Sequence, residues 1–187
     1  SLVIPSTTST GDSTSTLTLM VQSNQNGSAD ITVTVTDDGT GTLTNIETFT
    51  LTVNAINDAP VLTLIGAQST VEDSTIIISL QASDVDIATN GQSLLYSATS
   101  SAESLVTVSV SSGDSTGSGS ITFDVQSNQN GSADITVTVT DDGTGTLTNI
   151  ETFTLMVNAI NDAPIATITD TLITLIVSEG LEVLEFA

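Results

Sequence analysis

The chain of 187 residues contains no cysteine, lysine, arginine, histidine or tryptophan, and only 3% of it is aromatic. Each absence removes a class of chemistry. Without cysteine there is no disulfide, and without lysine there is no Lys–Asn or Lys–Asp isopeptide staple. With 22 acidic residues and no basic side chain, the formal charge is −22, so surface ion pairs and arginine clamps are excluded throughout. Nucleic acid is excluded as a direct partner, because neutralising phosphates requires cations. A nucleophile lacks the His, Cys or Lys that would activate it, which leaves carboxylates alone for acid–base work. A glycosidase site would also want aromatic platforms for sugar rings, and one Tyr and four Phe supply few. The motif "DDGTG" at 141–145 has Gly143 where the Asp-Thr-Gly of an aspartic protease needs Thr. The chain is read as non-enzymatic. No run is long enough to span a bilayer, and no secretory signal is visible, so no membrane insertion is expected from this segment.

What is present is a core-forming composition: 38% apolar residues and a mean hydropathy of +0.29, incompatible with a wholly disordered chain. An acidic protein of this kind needs salt, protons or a divalent metal to offset carboxylate repulsion, and metal is the most specific of the three.

The chain repeats itself. At an offset of 104 residues, Val21–Pro60 matches Val125–Pro164 with one difference, Thr52 against Met156. Looser similarity extends upstream, placing Ser1 opposite Ser104, and the sequence from Ala163 resembles that from Ala59. The organisation is therefore read as the C-terminal part of one repeat (1–60), one complete repeat (61–164) and the N-terminal strands of a third (165–187). Near-identity between copies points to a tandem array cut from something longer.

Within the unit the hydrophobic period is two. Ile135, Val137 and Val139 alternate with Thr136, Thr138 and Thr140, and Phe153, Leu155 and Val157 alternate in the same way, the mark of half-buried antiparallel strands. "SNQNGS", "DDGTGT" and "SSGDSTGSGS" separate β-branched runs at hairpin spacing. Six or seven short strands per repeat, with no helical pattern, predict an all-β fold of tandem Greek-key β-sandwiches.

The ordered series "TVEDSTIIISLQASDVDIATNGQSLLYS", "ADITVTVTDDGTG" and "TFTLMVNAINDAP" resembles the tandem cadherin-like, immunoglobulin-like repeats of large bacterial surface proteins and adhesins. The resemblance covers the complete repeat and both fragments. It implies a β-sandwich rod with Ca²⁺ held where repeats join. Glu72 corresponds to the acid at the base of the first strand. Asp84 and Asp86 correspond to the DxD pair, and Asn90 to the following Asn that offers a carbonyl. Asp141, with Asp37 as its copy, corresponds to the Asp of the AxDxG strand end. Asn57-Asp58 and Asn161-Asp162 correspond to the core of the DxNDN linker. This sequence departs from the pattern at Ala55, Ala159, Ala59 and Ala163, and it has Gln22 and Gln126 where a Glu would ligate, so one or two ions per joint are expected in place of three.

The residues themselves leave two readings open. "DVD" and "NDAP" supply the hard oxygen ligands that Ca²⁺ prefers, and the same Asp, Asn and Gly residues are ordinary turn formers. Pro60 and Pro164 stiffen the exit from each sandwich under either reading. The equivalent Asn26-Gly27-Ser28 and Asn130-Gly131-Ser132 triplets are sequons as well as turns.

The expected function is an extracellular or cell-surface structural array, a calcium-stiffened stalk or filament whose partners are copies of itself. The cut repeats suggest head-to-tail assembly by strand complementation, with "TLITLIV" at 171–177 as the donated strand. The alternative is an adhesin segment, with any cell-surface ligand bound by regions outside this chain.

Overall fold

The computed structural model describes residues 1–11, 13–111 and 116–166. The expected strand at 171–177 lies outside the described residues. The first 60 residues form two antiparallel hairpins: β1 (Val3–Gly11) with β2 (Thr14–Val21), and β3 (Gly27–Thr36) with β4 (Thr44–Val53). Eight strands follow: β5 (Val61–Leu62), β6 (Gln68–Val71), β7 (Thr75–Ser83), β8 (Leu94–Ser100), β9 (Val106–Ser111), β10 (Ser118–Val125), β11 (Gly131–Asp141) and β12 (Thr148–Asn158). They make two four-stranded sheets, ordered β5-β7-β10-β9 and β6-β12-β11-β8. Among the described residues β6 against β12 is parallel and the other pairings are antiparallel.

The alternation read in the sequence is what the sandwich buries. Ile135, Val137 and Val139 are fully enclosed, as is Leu155. They pack with Leu80, Leu94, Val106, Ile121 and Phe123 in one core, and the Phe123 and Phe153 rings meet edge to face at 6.3 Å. Thr136 and Thr152, on the opposite pleat, hydrogen-bond across the strands at 3.0 Å.

One short strand pair depends on a single carboxylate. β5 belongs to one sheet and β6 to the other, so the chain must cross between them over residues 63–67. Glu151 of β12 accepts hydrogen bonds from the Ile65 and Gly66 amides at 2.9–3.0 Å, and Gly66 turns at φ 69°, a conformation suited to glycine.

The expectation of no helix needs correcting at one place. Residues Val85–Asn90 form a six-residue helix, α1. Asp84 caps it, accepting from the Asp86 amide at 2.8 Å, and Gly91 closes it in the left-handed conformation with its N–H on Ile87 O. The helix is too short to show a 3.6-residue apolar period, and so local capping residues were its only signal. Among the described residues no helix is long and apolar enough to cross a membrane.

The hairpin β3–β4 has the register of β11–β12: Gly27 faces Val53 as Gly131 faces Val157, and Thr36 faces Thr44 as Thr140 faces Thr148. Its surroundings differ. Among the described residues nothing stands against β3 and β4 as β8 and β6 stand against β11 and β12. Val35 is consequently 66% exposed where its copy Val139 is at 0%, and Phe49 is 41% exposed where Phe153 is at 6%.

Candidate metal centre at the joint between repeats

The linker after β4 lays Asn57 and Asp58 onto the end of the sandwich formed by β5–β12. Helix α1 turns the Asp86 carboxylate inward, and the Asp58 amide donates to Asp86 Oδ2 at 2.8 Å. One turn later Asn90 Nδ2 donates to Asp86 Oδ1, also at 2.8 Å. At the end of β11, Asp141 accepts from the Gly143 and Leu147 amides and, at 3.1–3.2 Å, from Asn57 Nδ2. Six of the ten residues singled out in the sequence therefore lie together: Asn57, Asp58, Asp84, Asp86, Asn90 and Asp141.

Three of the others are at the opposite end of the same sandwich. Glu72 follows β6 and accepts from the Ile160 amide at 2.6 Å, while Asn161 and Asp162, the next residues along, are exposed. Asp37 stands apart from both groups. It follows β3 at the end away from the linker, roughly 30 Å from it at 3.4 Å per residue, and it is exposed with the Leu43 amide on Oδ1.

Burial gives this geometry its electrostatic meaning. Among the described residues the buried charged ones are Glu72, Asp86 and Asp141, at 5%, 4% and 2% exposure. In a chain with no Lys, Arg or His, each is held by neutral N–H donors, with the Thr89 hydroxyl also on Asp86 Oδ1 at 3.4 Å, and burying a carboxylate without a counter-charge is costly. Burial, with repulsion from Asp86, Asp141 and Asp58, pushes the Asp84 carboxyl above the usual Asp range, against the lowering effect of the Asp86 amide. Asp84 Oδ2 is also buried without a hydrogen-bond partner.

The donor set is all oxygen, carboxylate and amide, which suits a hard divalent cation and offers nothing to a soft one. Among the described residues no three carboxylates converge closely enough to form a ready-made cage. The physical reason is visible: like charges hold apart, and the Asp58 N–H and the Asn57 and Asn90 amides sit on the carboxylate oxygens that face the joint. The orphaned Asp84 oxygen and the uncompensated buried charge fit a cation in that place.

Two residues at the joint had no role in the sequence reading. Asn26, in the loop after β2, donates to Asn90 Oδ1 at 2.7 Å, tying the first repeat to the second. Gln92 Nε2 donates to Asn57 Oδ1 at 2.6 Å. Asn26 was legible as part of an Asn-Gly turn and a sequon, neither of which points to Asn90, and Gln92 carried no local signal.

The sandwich and its linker define a cadherin-like, immunoglobulin-like repeat. The family model described as "Bacterial Ig domain" matches residues 57–155, and the chain belongs to that family. No curated protein sequence matches this chain. Among solved structures it is similar to the extracellular domain of protocadherin gamma B4 (24% identity, TM-score 0.52), covering 82% of this chain and 26% of that one. It is also similar to extracellular cadherin domains 1–5 of protocadherin gamma B2 (21%, TM-score 0.54; 84% and 32%) and to domains EC1–3 of protocadherin gamma C5 (19%, TM-score 0.51; 83% and 53%). The chain thus spans between about a quarter and a half of these structures, and the likeness is one of fold.

Proposed function

We propose that this chain is a segment of an extracellular structural array on a microbial surface, built of tandem repeats divided at 1–60, 61–164 and 165–187, with Ca²⁺ stiffening the joints. The observation that carries the reading is the pair of buried carboxylates Asp86 and Asp141, in a chain with no basic side chain to balance them, both hydrogen-bonded to the linker residues that join one repeat to the next. The neighbours named as extracellular domains support the location, and near-identical copies support an array.

At the joint, Asp58, Asp84, Asp86, Asp141 and the Asn57 and Asn90 carbonyls would hold the ion; Glu72, Asn161 and Asp162 would serve the next joint. The bound cation supplies the positive charge that the chain lacks. These residues then fix the linker against the sandwich, which turns a hinge into a stiff coupling. Asp37 would serve a joint preceding the first repeat. No catalytic role is assigned.

Thermal unfolding of the whole chain in CaCl₂, MgCl₂ or EDTA at equal ionic strength tests the reading. A Ca²⁺-specific rise in Tm is expected, since ligand at about 100 times its Kd adds roughly 2.7 kcal/mol per site. Equal curves in all three would discard the metal.

Self-association is supported by the edges of β2, β3 and β4 that are unpaired among the described residues, whose copies β10, β11 and β12 pair with β7, β8 and β6. A segment patterned like residues 68–100 completes the first repeat, whether it precedes Ser1 in a longer chain or comes from a second copy. Peptides reading through residue 1 or 187 in mass spectra of native material would select the longer chain over head-to-tail exchange. A cell-surface ligand, if the array has one, is assigned to regions outside this chain.

A further inference from the structure

Asn57 and Gln92 stand in an arrangement that leaves one atom unserved. Asn57 Nδ2 bridges both oxygens of Asp141, and Asn57 Oδ1 accepts from Gln92 Nε2. Gln92 Oε1 is buried and has no hydrogen-bond partner. The two amides meet over Gly143, where a Cβ would fall 1.9 Å from Asn57 Oδ1 and 2.4 Å from Gln92 Nε2. The close packing therefore requires glycine for space.

We infer that Asn57 and Gln92 form a two-amide latch that reverses when a cation binds at Asp141. An amide that turns its N–H groups to a carboxylate cannot also offer that place its oxygen. Half a turn of the Asn57 side chain brings Oδ1 toward the Asp141 carboxylate, an arrangement of oxygen against oxygen that only an intervening cation makes favourable. Asn57 Nδ2 then faces Gln92, and Gln92 must turn as well so that Oε1 accepts from it. The atom left unpaired in the present state gains its partner in the other. The unpaired atom passes from Gln92 Oε1 to Gln92 Nε2, so the cation supplies the driving force for the reversal, and Gln92 is the positioning residue that must turn with Asn57.

The latch rests on the calcium reading, and its test separates the two. In the ¹⁵N-labelled whole chain titrated with CaCl₂, the side-chain NH₂ signals of Asn57 and Gln92 are expected to move together. Their midpoint should equal that of the backbone amides of Asp86 and Asp141. Backbone shifts with both side-chain signals unmoved would overturn the latch and leave the calcium reading standing. No shift at either place overturns both.

Discussion

At the scale of single residues, Asp84 and Gly143 show opposite kinds of constraint. Burial and its acidic neighbours raise the Asp84 carboxyl above its unfolded value. The ionised form is therefore penalised in the folded state at neutral pH, and the penalty is relieved as pH falls through the raised folded value. In EDTA, Asp84→Asn should have a higher Tm than the parent chain at pH 7, and the advantage should shrink on acidification; a pH series of melts checks the sign. With Ca²⁺ present the same substitution should lower the Tm gain from the ion. Gly143→Ala drives a methyl group into Asn57 Oδ1. Displacing Asn57 removes a donor from buried Asp141, so a loss of about 1–3 kcal/mol is expected in urea unfolding.

At the scale of elements, the crossing from β5 to β6 depends on Glu151. Glu151→Ala frees the Ile65 and Gly66 amides and should cost about 1–3 kcal/mol. The copy Glu47 sits in an identical local sequence but is exposed, so Glu47→Ala should change stability by less than about 0.5 kcal/mol. Urea titrations of the two variants side by side give the comparison. The strand pairing of β11 and β12 was legible because Thr/Val alternation and the turn residues between them are local. Helix α1 was not, because six residues built around an Asp cap and a Gly stop look like any turn.

At the scale of the whole molecule, identical strands live in unlike surroundings. The β11–β12 hairpin is flanked by β8 and β6 and encloses a core, whereas β3–β4 is flanked by neither among the described residues. Amide hydrogen exchange should therefore be faster across β3–β4 than across β11–β12, residue for matched residue, although 40 consecutive positions carry one substitution. Exchange mass spectrometry resolving peptides 27–53 and 131–157 reads this directly. Equal protection would mean that the first repeat is covered in solution.

The strands, the turns between them and the lack of any cation to balance the acids were legible in the amino-acid sequence, because period and composition act over a few neighbouring residues. The resemblance to cadherin-like repeats marked Asp86 and Asp141 as candidates. Only the tertiary structure decided that Val139 is enclosed while Val35 is exposed. Only it set Asn57 on Asp141, 84 residues away, put Gln92 behind Asn57, and let Asn26 reach Asn90 from the preceding repeat. Burial and convergence belong to surfaces assembled from distant segments, and a neutral Gln or Asn carries no local sign of the partner that folding brings to it.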